Sequence, residues 1–213
     1  GHKVSILTGD EYGHHKYKNV FEKYEFPYDS DNLEEILYSV NADTIIVMGA
    51  FDTNYHWEKN KEIVYFIAHL VNILVAYCQM RKGRLIFLSS HEVYNDDYKE
   101  DIKEEEKCTG KGMRAEALMQ AEEICDNCRI NQKKDIVVLR LDHLYHIPQN
   151  KKDILDPCSQ LSLKCIKKEK IIINTNHIFS MLYENDAVEY IYKIVEAKVH
   201  GSALYNLSSD EIT

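Results

Sequence analysis

GRLIFLSSHEVY, residues 83–94, opens as an apolar run and closes on hydroxyls and titratable groups. Arg84–Leu88 shows no polar alternation, the pattern of a strand covered on both faces of a parallel sheet. Ser89, Ser90, His91 and Glu92 then fall where such a strand reaches solvent. Three other runs read the same way: Lys3–Leu7, Thr44–Met48 and Ile136–Leu141. Helical patterns separate them. A cap signal at Asp31 precedes apolar residues at helical spacing, Glu62–Arg81 is apolar on more than one face, and Gly112–Arg129 is rich in Ala, Glu and Met. This alternation predicts an α/β fold, a Rossmann-like doubly wound parallel sheet.

Residues 1–148 are expected to form that core. Beyond Pro148 the pattern changes: Asp153–Lys168 reads as helix, Lys170–Asn174 as extended, Glu184–Ala197 as helix and Ala203–Leu207 as a return strand. Residues 149–213 are therefore expected to be mainly a small C-terminal lobe on a single domain. The leading Gly, the lack of an initiator Met and the end at Thr213 read as a domain excised from a longer polypeptide.

Composition narrows the function classes. A formal charge of −9 disfavours a binder of nucleic-acid backbone, which needs a basic face. No stretch approaches the ~20 apolar residues of a membrane span. The six cysteines do not form a disulfide framework, so a reducing, cytoplasmic setting is expected. Cys125 and Cys128 form a CxxC inside a helical pattern with no second ligand pair nearby, and read as structural thiols. His14 and His15 are adjacent but lack a third fixed ligand, so no metal is expected.

Six segments occur in a telling order: VSILTGD (4–10), NADTIIVMGA (41–50), GRLIFLSSHEVY (83–94), IVVLRLDHLYHIP (136–148), MLYENDAVEYIYKIVEA (181–197) and SALYNLSSDEIT (202–213). Together they resemble the extended short-chain dehydrogenase/reductase family, the NAD-dependent sugar-nucleotide epimerases and dehydratases. The resemblance implies NAD or NADP as cofactor, held near Thr8, Gly9, Gly49 and Ala50. It implies a nucleotide sugar or other small ligand as partner. It also implies a homodimer through helices 62–81 and 112–129.

The resemblance assigns Ser90 to the catalytic Ser/Thr position, three residues before Val93. The family's Tyr and Lys would fall in GMRAEALMQAEEI, where those positions hold Ala115 and Met119, or Arg114 and Leu118 one residue back. A methyl group transfers no proton and a thioether stabilises no phenolate. The Gly-rich turn is altered as well: TGDEYGHH keeps Thr8 and Gly9 but has Tyr12 and His15 in later glycine slots. Only 35 residues separate Thr8 from Thr44, so HKYKNVFEKYEF has room for one short helix or one strand. A truncated first half follows. Phe179 stands where an Arg commonly grips the sugar diphosphate.

Ser90, His91 and Glu92 remain the best candidates for chemistry. His91 and Glu92 suit an acid and a base near neutral pH. Alternatively, the serines satisfy backbone groups at a strand end while His91 and Glu92 face solvent. Tyr55, His56 and Trp57 form an aromatic loop that suits either a ring-bearing ligand or ordinary packing. The expected role is an inactive epimerase/dehydratase-like domain that senses a ligand or docks a partner. The rival is an active enzyme in which His91 or Tyr94 replaces the lost Tyr.

Overall fold

A computed structural model of the chain describes residues 1–8, 19–25, 30–48, 60–80, 82–94, 102–147, 157–172, 180–198 and 204–209. The predicted strand Arg84–Leu88 is the inner strand β4 (Arg84–Ser90), flanked by β3 (Thr44–Val47) and β5 (Asp135–Leu141). β8 (Leu204–Leu207) pairs outside β5, giving the order β3-β4-β5-β8 with every pairing parallel. The return strand is therefore part of the core sheet.

Side-chain alternation on β4 explains why both faces had to be apolar. Leu85 and Phe87 belong to one core cluster, Ile86 and Leu88 to the other, and all four are essentially inaccessible to water. The first cluster is covered by α1 (Ser30–Val40), α2 (Asn60–Gln79) and α3 (Met113–Gln132), through Leu33, Leu37, Phe66, Leu70, Leu74, Leu118 and Cys125. The opposite face is covered by α5 (Glu184–Glu196), whose Ala187 is buried and whose Ile191, Ile194 and Val195 are partly so. Helices on both faces of a parallel sheet make the fold doubly wound α/β, as expected.

The region before β3 carries a finding of its own. The segment with room for one helix or one strand contains a strand, β2 (Glu22–Glu25), running parallel to β1 (Ser5–Thr8) with Thr8 opposite Glu25. Residues 9–21 are all the chain has for that crossover, close to the minimum of about a dozen for parallel strands. In the C-terminal part, α4 (Pro157–Ile166) and α5 match the helical patterns. Lys170–Ile172 forms no strand, and residues 173–174 lie outside the described residues. Two short strands instead pair in parallel, β6 (His143–Tyr145) and β7 (Met181–Tyr183). No helix among the described residues is long and apolar enough to cross a membrane.

Candidate functional site

The site is built where β4 and β5 end together. Their register pairs Ser90 with Leu141, so the residues that follow, His91 and Asp142, leave the sheet side by side. β4 passes directly into a single 3-10 turn, His91–Val93, capped by Ser90, whose Oγ accepts from the Glu92 backbone N at 3.3 Å. Among the described residues, the polar groups that touch Ser90 Oγ are this amide and His91 Nδ1, 3.5 Å away. Ser90 thus shapes the turn.

The other sequence candidates are engaged as well. Glu92 forms an ion pair with Arg114 of α3. His91 points back over the sheet end, with Nδ1 3.3 Å from the Leu141 carbonyl and 3.5 Å from Asp142 Oδ1. Its ring meets that of His143 edge-on, with centroids 4.1 Å apart. His91 therefore does not simply face solvent, although its side chain keeps 30% of its exposure. Burial pushes the His143 imidazole below the usual histidine range, His91 pushes the same way, and Asp142 opposes both. Sequence reasoning missed Asp142 and His143 because they sit about 50 residues from His91; only the strand register unites them.

Ser89 faces the other way, into a buried polar network. Its Oγ donates to Glu122 Oε1 at 2.5 Å. Arg140 from β5 donates to Glu122 Oε2 at 2.6 Å through Nη2, to the Tyr94 hydroxyl through Nη1, and to Cys108 Sγ at 3.1 Å. Tyr94 Oη in turn donates to Asn206 Oδ1 at 2.9 Å, tying in β8. Burial disfavours the Arg140 charge, but the Glu122 carboxylate outweighs it and holds the guanidinium above its usual value. Burial also pushes the Tyr94 phenol up, against the partial counter-effect of Arg140.

Neither reading of the lost Tyr and Lys positions supplies a proton relay. Ala115 is buried, Met119 packs against the first core cluster, Leu118 is fully buried within it, and Arg114 is paired with Glu92. Arg114 is the polar residue that α3 offers to the turn, and a guanidinium does not give up its proton in a protein. Neither Arg114 with Leu118 nor Ala115 with Met119 offers the phenol and ammonium that the family resemblance places there. Thr8 closes β1; Gly9, Gly49 and Ala50 lie outside the described residues, as do Tyr12, His14, His15, Tyr55, His56, Trp57 and Phe179. All six cysteines are free. Cys125 of the CxxC is fully buried, with its thiol pushed up by burial, and burial with the nearby Cys128 pushes Cys78 up to about 11. Burial and the raised thiol give Cys125 the character of an unreactive core residue.

The comparisons agree with this architecture. A UDP-glucose 4-epimerase from Thermotoga maritima superposes with a TM-score of 0.79 at 14% identity, covering 98% of this chain and 70% of that one. The NAD complex of the enzyme WbmG from Bordetella bronchiseptica gives 0.76 at 13% identity, covering 98% and 65%. An L-threonine dehydrogenase from Clostridium difficile gives 0.72 at 17% identity, covering 99% and 77%. At such identities the likeness shows the fold alone. No curated protein sequence matches the chain. The family profile of NAD-dependent epimerases and dehydratases matches residues 1–208, and the chain belongs to that family.

Proposed function

We propose that the chain is a catalytically silent member of its family, whose cleft at the ends of β4 and β5 holds a small ligand or docks a partner. One observation carries the reading: the face of α3 that meets the turn after Ser90 presents Arg114, paired with Glu92, and a core-buried Leu118. No phenol or ammonium stands in either frame. Tyr94 is a poor replacement because its hydroxyl is committed to Arg140 and Asn206. A cytoplasmic, reducing setting accords with six free thiols.

The ligand class is the one its neighbours suggest. The Thermotoga maritima epimerase is described with UDP-glucose and WbmG with NAD, so nucleotide sugars and dinucleotides are the first compounds to try. When bound, the dinucleotide would supply a hydride acceptor, and neither frame of α3 offers the family's phenol for the accompanying proton transfer. One observation favours the second reading, an active enzyme that still grips the adenosine half. β2 lies parallel beside β1 and ends on Glu25, an acidic residue at the sheet position where dinucleotide folds place their ribose reader.

Isothermal titration with NAD, NADP and a panel of UDP- and dTDP-sugars separates the two. The proposal expects sugar-nucleotide binding or none, no micromolar dinucleotide binding, and no change in nicotinamide absorbance on mixing. Micromolar NAD binding with turnover overturns it. A second copy of the chain is the partner proposed for the exposed stripe of α2, on which Val64, Val71 and Val75 lie.

A further inference from the structure

Two imidazoles and a carboxylate converge just beyond Ser90, and nothing in the reading above uses them together. One ligand atom from each of His91, Asp142 and His143 lies within 4.8 Å of the other two. The edge from His91 Nδ1 to Asp142 Oδ1 is 3.5 Å. Ligands at roughly 2.0–2.1 Å from a tetrahedral ion sit about 3.3 Å apart, so this edge already has the length that coordination requires. His143 closes the triangle by small ring movements, since its ring already meets His91 edge-on at 4.1 Å between centroids.

The backbone holds the three in place. His91 opens the 3-10 turn, Asp142 follows β5, and His143 opens β6, so all three stand on or beside fixed elements. The His143 backbone N donates to Asp142 Oδ1 at 2.7 Å, and this bond orients the carboxylate. The surroundings are half dry: Asp142 is 8% exposed, while His91 keeps a route to solvent.

We propose that His91, Asp142 and His143 bind a divalent transition-metal ion, zinc foremost, with at least one coordination position open to water or to a ligand in the cleft. Imidazole and carboxylate suit zinc, cobalt and nickel better than magnesium or calcium, which ask for all-oxygen shells. Three protein ligands with an open fourth place is the pattern of reactive rather than purely structural zinc. The site lies outside the carboxyl ends of parallel strands, where doubly wound folds bind their ligands. It goes beyond the function proposed above and does not depend on whether the cleft takes a nucleotide.

The test uses the full chain, stripped with a chelator, dialysed and titrated with cobalt(II). The expected result is one equivalent bound with visible d–d bands, no thiolate charge-transfer band, and displacement by zinc. His91→Ala and His143→Ala should each weaken binding by more than the roughly 10- to 100-fold that a lost outer-shell partner costs. Changing His2, His14 and His15 together should leave the site intact. Circular dichroism checks each fold, and His143→Gln with Asp142→Asn decides the matter if either alanine variant unfolds. The proposal is overturned by no binding at millimolar metal, by binding indifferent to these variants, or by a thiolate band that disappears in a Cys125→Ser/Cys128→Ser variant. Titration of the same samples with NAD reads the nucleotide question separately.

Discussion

Glu122 is the carboxylate on which a buried hydrogen-bond network converges. The carboxylate is nearly buried and takes hydrogen bonds from Arg140 and Ser89, so β4, β5 and α3 meet on one residue. Removing one member of a buried pair leaves the other charge without compensation, and that loss exceeds the net value of the pair. Glu122→Gln is therefore expected to lower stability by about 3–5 kcal/mol, whereas Ser89→Ala should cost about 1 kcal/mol. Urea unfolding followed by circular dichroism measures both; similar small losses would show the network to be dispensable. None of this was legible in the sequence, where Glu122 is one acid among many on a helix. Ser90, by contrast, was legible as a strand-end residue, and it caps the turn as its residue type suggests. His91 was legible as a candidate, but its partners were not, because no local pattern links residue 91 to residues 142 and 143.

At the scale of elements, apolar continuity located the inner strands well: Arg84–Leu88 became Arg84–Ser90, and Ile136–Leu141 became Asp135–Leu141. Burial on both faces leaves no freedom in such runs. β2 was less legible, because EKYE lacks the β-branched residues that mark a buried strand and is fixed by pairing with β1. Gly110 approaches the turn at Glu92 and Val93 more closely than a side chain permits. Gly110 donates to the Val93 carbonyl at 2.8 Å, and a Cβ there would collide with the Glu92 carbonyl and stand 2.9 Å from that of Val93. Gly110→Ala is expected to destabilise by roughly 1–3 kcal/mol and to shift the amide signals of the turn. An unchanged unfolding midpoint would rule out the tight approach. On α2, burial holds the His69 imidazole below its usual value of 6.5. The folded state then binds fewer protons than the unfolded chain, so His69 destabilises the fold as pH falls through about 6.5 and has no such effect above it. His69→Gln should flatten the pH dependence of the urea midpoint between roughly pH 7.5 and 5.5. An equally steep dependence in the variant would place the titration elsewhere.

On the scale of the whole molecule, the question is what covers the outer side of α2. Its inner side is spent on the core through Phe66, Leu70, Leu74 and Tyr77. Yet Val64 is 64% exposed, Val71 37% and Val75 46%, and with the exposed Ala68 they follow helical spacing along one stripe. A run of aliphatic side chains on a chain of net charge −9 stands out, because such a chain has acidic and polar residues enough to cover a free face. Two copies related by a two-fold axis would each bury the same stripe, the commonest arrangement among soluble oligomers. α3 adds only Ile130 to the exposed aliphatics among its described residues, so α2 would carry most of the contact. Val71→Glu/Val75→Glu places two carboxylates opposite their own symmetry mates, where repulsion and lost apolar area act together. Light scattering coupled to size exclusion should find a dimer for the parent chain and a monomer for the variant. The monomer's near-UV spectrum should be unchanged, because both positions face outward. A monomeric parent chain at ~100 μM would refute the pairing, since even a modest interface of standard size holds in that range.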